Sequence, residues 1–186
     1  APAIGVLGDI MNSAPEADIF FTGVPQPVRL IDCGPLMDGF QEIFPTWRPR
    51  LEASDPAVQP VITVRRRKGG QYRIEAPWLD EPIKTDTRVC TFASIVVDVI
   101  YAWLEANPPS LCMHCAAAEF DGRLVVFPST NQSGKSSLIT RLMADTHVTY
   151  GDDLLALTPE GPGKPCGTPP RSRRPLPPSD KQLADV

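Results

Sequence analysis

The chain has 186 residues and a mass of 20.3 kDa. That is enough for one domain of ordinary size, or one with a small appendage, and too little for two large independent domains. A hydrophobic share of 42% with 22% charged residues can bury a core, while 22 prolines exclude an all-helical bundle or a long coiled coil. The net charge of −4 and pI of about 5.2 offer no general attraction to nucleic acid or anionic lipid, so neither is an expected partner and phosphate chemistry has to be local.

The N-terminal stretch has no basic region followed by a sustained apolar run, and does not read as a signal peptide. The chain begins without Met, which points to processing or trimming. Asp18 to Thr22 and Val28 to Asp32 are apolar-rich and read as strands. Leu36 to Ile43 reads as one short helix. Val61 to Arg66 and Gln71 to Ala76 flank Lys68-Gly69-Gly70 and read as a hairpin, giving a small β-rich N-terminal layer over residues 1–86. The run Arg65-Arg66-Arg67-Lys68 is read as a solvated tip, with electrostatic docking of an acidic partner as the alternative.

Val89 to Ala106 has helical periodicity, with Thr91, Ser94, Asp98, Tyr101 and Glu105 on a polar side and Phe92, Val96, Val99, Ile100 and Trp103 on an apolar side. Asn107, Pro108 and Pro109 end it. Cys112 to Phe120 and Leu124 to Phe127 then read as buried strands around Asp121-Gly122. Gly134 to Ala144 reads as a helix and His147 to Tyr150 as a short strand. Strand, loop, helix and strand in succession make an α/β unit, and residues 87–158 are expected to form one core. Eight prolines between Pro159 and Pro178 mark residues 159–186 as a proline-rich tail unable to hold a helix or a central strand.

The chemically informative segment runs from Leu124 to Leu138. A phosphate-binding loop needs backbone N–H groups converging at a helix N-terminus, a lysine to reach the phosphates and a hydroxyl for Mg²⁺. Gly134, Lys135 and Ser136 supply the end of that pattern, directly after a strand and before a helix with Leu138, Ile139, Leu142 and Met143 at apolar positions. Asn131, Gln132, Ser133, Gly134, Lys135, Ser136 and Ser137 form the expected nucleotide cradle. Ser129 stands where the pattern has its first glycine, which implies a slightly different turn and weakened nucleotide affinity.

Asp152-Asp153 follows a strand end, where ligands of such sheets collect. The pair either caps a turn or serves Mg²⁺ and a proton transfer. His114 alone reads more readily as a structural histidine than as a catalytic one. Alternation puts Cys112 and His114 on one strand face and Cys115 on the other, which argues against a metal or disulfide role for the Cys-x-x-Cys spacing. Five scattered cysteines, an odd number, favour a reduced, cytoplasmic compartment.

His114 lies 21 residues before Lys135, and Asp152 lies 17 after it. In that arrangement Leu111 to Leu157 resembles the HPr kinase/phosphorylase family, specifically its HPr-kinase-related members. The resemblance implies a phosphoenolpyruvate-carboxykinase-like P-loop kinase core of the α/β class and an ATP- and Mg²⁺-dependent Ser/Thr kinase acting on a small protein or ribosomal peptide. Self-association stays open. It also implies that Lys135 holds the β phosphate, Ser136 binds Mg²⁺, Asp152 is the general base with His114 beside it, and Asp153 assists the metal. The sequence departs from the family at Ser129, a glycine there, and at Ser137, commonly acidic there. A catalytically inactive nucleotide-binding sensor or scaffold, and a small-molecule kinase or NTPase, are the alternatives.

Overall fold

The structure is a computed structural model that describes residues 16–44, 47–128, 133–151, 154–159 and 164–165. It is mixed α/β, with two sheets and few helices, and divides into two compact units, Ala1–Pro109 and Ser110–Val186. The unit boundary therefore falls after the long helix, not at residue 86, because that helix covers the first sheet.

In the first unit six strands, β1 (Glu16–Phe20), β2 (Val28–Ile31), β3 (Arg50–Ala53), β4 (Ile62–Arg66), β5 (Tyr72–Glu75) and β6 (Ile83–Thr85), stand in the order β3-β1-β2-β4-β5-β6. Only β2 and β4 run parallel. Alternation buries Ala17, Ile19, Val28, Leu30, Ile62, Val64, Tyr72 and Ile74 on one face. On the other, Asp18 lies directly opposite Arg29 and accepts two hydrogen bonds of 2.8 Å from it. Arg29 also donates to the Asp55 and Val58 carbonyls, so this buried charge is fully partnered. The hairpin of β4 and β5 forms as expected, and Arg65, Arg66, Arg67 and Lys68 are exposed.

Two helices, α1 (Gly34–Met37) and α2 (Gly39–Ile43), replace the single helix expected over Leu36 to Ile43. Gly39 at the break packs so closely on Phe92 that a Cβ there would lie 2.6 Å from the ring, and Phe40 meets the same ring edge-on at 5.0 Å.

Helix α3 (Arg88–Ala106) begins at Thr87, whose hydroxyl accepts from the Cys90 N–H. It is the one helix among the described residues long and apolar enough to cross a membrane, and it packs against β5 and β6 with Phe92, Ile95, Val99 and Trp103 buried. The expected polar side is corrected at two positions. Thr91 and Asp98 point inward, while Val89 and Val97 are more than half exposed. Specific partners outweigh periodicity here. Thr91 Oγ1 meets Thr85 Oγ1 at 2.7 Å, and Asp98 Oδ1 accepts from Trp78 Nε1 at 2.9 Å.

In the second unit β7 (Leu111–Phe120), β8 (Arg123–Pro128), β9 (Thr149–Gly151), β10 (Leu154–Leu157) and β11 (Lys164–Pro165) form a five-stranded sheet with helix α4 (Lys135–Ala144). The turn Asp121-Gly122 has positive φ at both residues, as a two-residue hairpin demands. The strand expected over His147 to Tyr150 starts instead at Thr149. The Thr146 and His147 N–H groups close α4 by donating to the Met143 and Leu142 carbonyls, with Thr146 left-handed at φ 65°. Within the expected tail, Lys164 and Pro165 pair with β10; the rest, from Cys166 on, lies outside the described residues.

Asp98 generates a test. Burial raises its carboxyl above the ordinary range, partly offset by the Trp78 bond, and its Oδ2 has no partner. The unfolded chain then gives up this proton at lower pH than the folded one, so stability falls as pH rises from about 4 through the raised value. Asp98→Asn keeps an acceptor for Trp78 and escapes that loss. Its denaturant midpoint should exceed the wild type's at neutral pH and approach it near pH 4; a gap that does not change with pH would contradict the assignment.

Candidate functional site

Strand β7 organises the candidate site. It pairs antiparallel with β8 on one side and with β9 and β10 on the other, so β8 and β9 run parallel and their carboxyl ends both come beside the middle of β7, at Cys115 and Ala117. The link from β8 to β9 passes through α4, whose Ile139 and Leu142 pack on Ala116 and Ala118 of β7. Alanines on that face let the helix come close. The opposite face carries Cys115, Ala117 and Leu155.

Helix α4 starts at Gly134, which caps it in the left-handed conformation at φ 90° without a side-chain bond. A Cβ at Gly134 would meet nothing within 4 Å, so backbone conformation and not space is what calls for glycine. The Leu138 N–H is the first to close the helix, onto the Gly134 carbonyl at 2.9 Å. The first turn of an α-helix directs its N–H groups outward along the axis, and with the helix dipole such a terminus favours an anion. Ser133, Gly134 and Ser137 are exposed, Lys135 and Ser136 half-buried. Thr140 Oγ1 donates to the Ser136 carbonyl at 2.6 Å.

Lys135 lies within electrostatic reach of β7. Burial pushes the Cys115 thiol up, and the Lys135 charge opposes that shift. Cys115 itself stands opposite Pro128, the last residue of β8. Cys115 is the site residue that sequence reasoning left out, although counting back from the Asp121-Gly122 turn pairs it with Pro128. Next to it, His114 is exposed, shares the β7 face of Ala116, and stands opposite Leu154. Gly151 stands opposite Ala117. The two residues flanking the aspartate pair are therefore positioned against β7 on either side of Cys115 and Ala116.

The structure thus brings His114, Lys135, Ser136 and both flanks of the aspartate pair beside the middle of β7. Asp152, Asp153, Asn131, Gln132 and Ser129 lie outside the described residues. Neither Cys112 nor Cys115 is in a disulfide, and among the described residues no cluster of His, Cys, Asp and Glu could hold a metal ion. A separate, largely apolar cavity of about 220 Å³ lies in the first unit, lined by Ile19, Met37, Phe40, Pro49 and Leu51 with Asp38 and Gln41. Comparison with family models, curated proteins and solved structures finds no match to the chain.

Gly134→Ala isolates the conformational demand. Holding an L-residue in this left-handed cap should cost about 1–2 kcal/mol, read as a lower denaturant midpoint with unchanged slope. An unchanged midpoint would show that the cap tolerates a Cβ.

Proposed function

We propose that the chain is an ATP-dependent Ser/Thr kinase of the HPr-kinase-related type, with a phosphoenolpyruvate-carboxykinase-like P-loop core built on the second sheet and a small protein or ribosomal peptide as acceptor. The observation that carries this reading is the β8-α4-β9 crossover over β7. It sets a glycine-capped helix N-terminus and the strand that leads into Asp152-Asp153 beside the same stretch of β7.

In this reading the α4 N-terminus and residues 131–137 cradle the phosphates, and Lys135 neutralises the β phosphate. The half-buried Ser136 hydroxyl, with Asp152 and Asp153, offers the hard oxygen donors that suit Mg²⁺. The metal would offset charge on the transferring phosphoryl group. Asp152 orients the acceptor hydroxyl for in-line attack and takes its proton, and His114 orients that carboxylate. The reading places the chain in a cytoplasmic setting with its thiols reduced. Ser129 in place of the first loop glycine favours a second reading, a nucleotide-binding sensor without transfer. Hydrolysis of ATP without an acceptor would favour an NTPase.

Lys135→Ala should weaken ATP binding about 10- to 100-fold by loss of a charge-assisted contact. Asp152→Asn should bind ATP normally and transfer phosphate on the order of 100-fold or more slowly. Calorimetric titration with a radiolabelled transfer assay separates the two effects. Unaltered binding by Lys135→Ala would overturn the phosphate loop, and normal transfer by Asp152→Asn would overturn the base.

A further inference from the structure

A second charged feature lies in the first unit and has no part in the phosphate-loop reading. In the β-sheet register Arg65 of β4 stands directly opposite Arg73 of β5, and Arg73 directly opposite Lys84 of β6. Directly opposed residues share a face, and the neighbouring positions Val64, Ile74 and Thr85 are buried on the other one. Three cations therefore line up across three adjacent strands on the outer face of the sheet. Arg65 and Lys84 are exposed and Arg73 half-buried. Like charges directly opposite one another destabilise a sheet.

Two carboxylates on that face lie nearest the row: Glu16 of β1 stands in line with Arg65 across Ile31 of β2, and Glu75 follows Arg73 on β5. Glu75 accepts from Arg73 Nε at 2.7 Å. At the adjoining hairpin end the exposed Arg67 and Lys68 add further charge, in a tight turn with Gly69 and Gly70 at positive φ. Asp86 near that end accepts from Gln71. The cations outnumber the carboxylates locally in a chain whose net charge is −4.

We propose that this face of β4, β5 and β6 is a docking surface for an acidic, extended peptide segment of a partner protein. Charge complementarity selects an anion, and two further observations select a peptide. The row holds no aromatic side chain on which bases could stack, since Tyr72 of β5 is buried on the opposite face. The net negative charge repels an extended polyanion or an anionic bilayer, whose charge reaches far beyond the patch, while a short acidic segment meets only the cations. Strands about 4.8 Å apart set the spacing of the row, within reach of flexible Asp and Glu side chains on one extended chain. This surface stands whether or not the phosphate-loop reading holds.

The test uses the full chain and a fluorescein-labelled decapeptide of alternating Glu and Ser, followed by anisotropy at low ionic strength. Saturable binding is expected, weakened at least tenfold in Arg65→Gln/Lys84→Gln, with matching circular dichroism melts showing that the variant folds. Addition of salt should weaken binding to the wild type steeply and to the variant little. A Gln/Ser decapeptide should not bind. The proposal is overturned by absence of saturable binding, by binding that the double substitution leaves unchanged, or by tighter binding to single-stranded oligonucleotide or anionic vesicles than to the peptide.

Discussion

Strand β7 is the constraint on which the second unit depends. Cys115, Ala116, Ala117 and Ala118 are all at most 1% exposed, with neighbouring strands on both edges and side-chain clusters on both faces. Small side chains make this possible, because larger ones would hold α4 away from the sheet. Once α4 rests on Ala116 and Ala118, its N-terminus has to emerge beside the end of β8. The return through β9 brings the chain back along β7 toward His114. The geometry of the proposed phosphate site thus follows from a run of three alanines as much as from the Gly-Lys-Ser sequence.

The first unit depends on polar groups buried with partners. Asp18 with Arg29 ties β1 to β2 and, through the Asp55 and Val58 carbonyls, fixes the segment after β3. Thr85 with Thr91 and Trp78 with Asp98 attach α3 to the chain just before it. Removing Arg29 would strand the buried Asp18 charge, at a cost of about 3–5 kcal/mol. Asp98 is the exception in this set, because one of its oxygens is left without a partner.

These differences explain what the sequence disclosed. The β4-β5 and β7-β8 hairpins were legible because turn residues and alternation agree, and α3 because its apolar positions recur over nineteen residues. Strands β3, with the sequence RLEA, and β6, with IKT, carry too few apolar residues to stand out, and their pairing partners are remote in sequence. Thr91 and Asp98 were misplaced because helical periodicity cannot foresee Thr85 and Trp78. At the candidate site, spacing located the helix start and His114. The closeness of Lys135 to Cys115 follows only from the fold.

The central claim is that a metal–nucleotide complex sits at the α4 N-terminus beside β7. Paramagnetic broadening of backbone amide resonances on titration with Mn²⁺–ATP measures this directly. The account predicts that Gly134, Lys135, Ser136 and His114 broaden first and strongly, while Asp121, Gly122 and Arg123, at the far end of the β7-β8 hairpin, stay sharp at the same concentration. Absence of broadening at Gly134 to Ser136, or equal broadening throughout the chain, would contradict it.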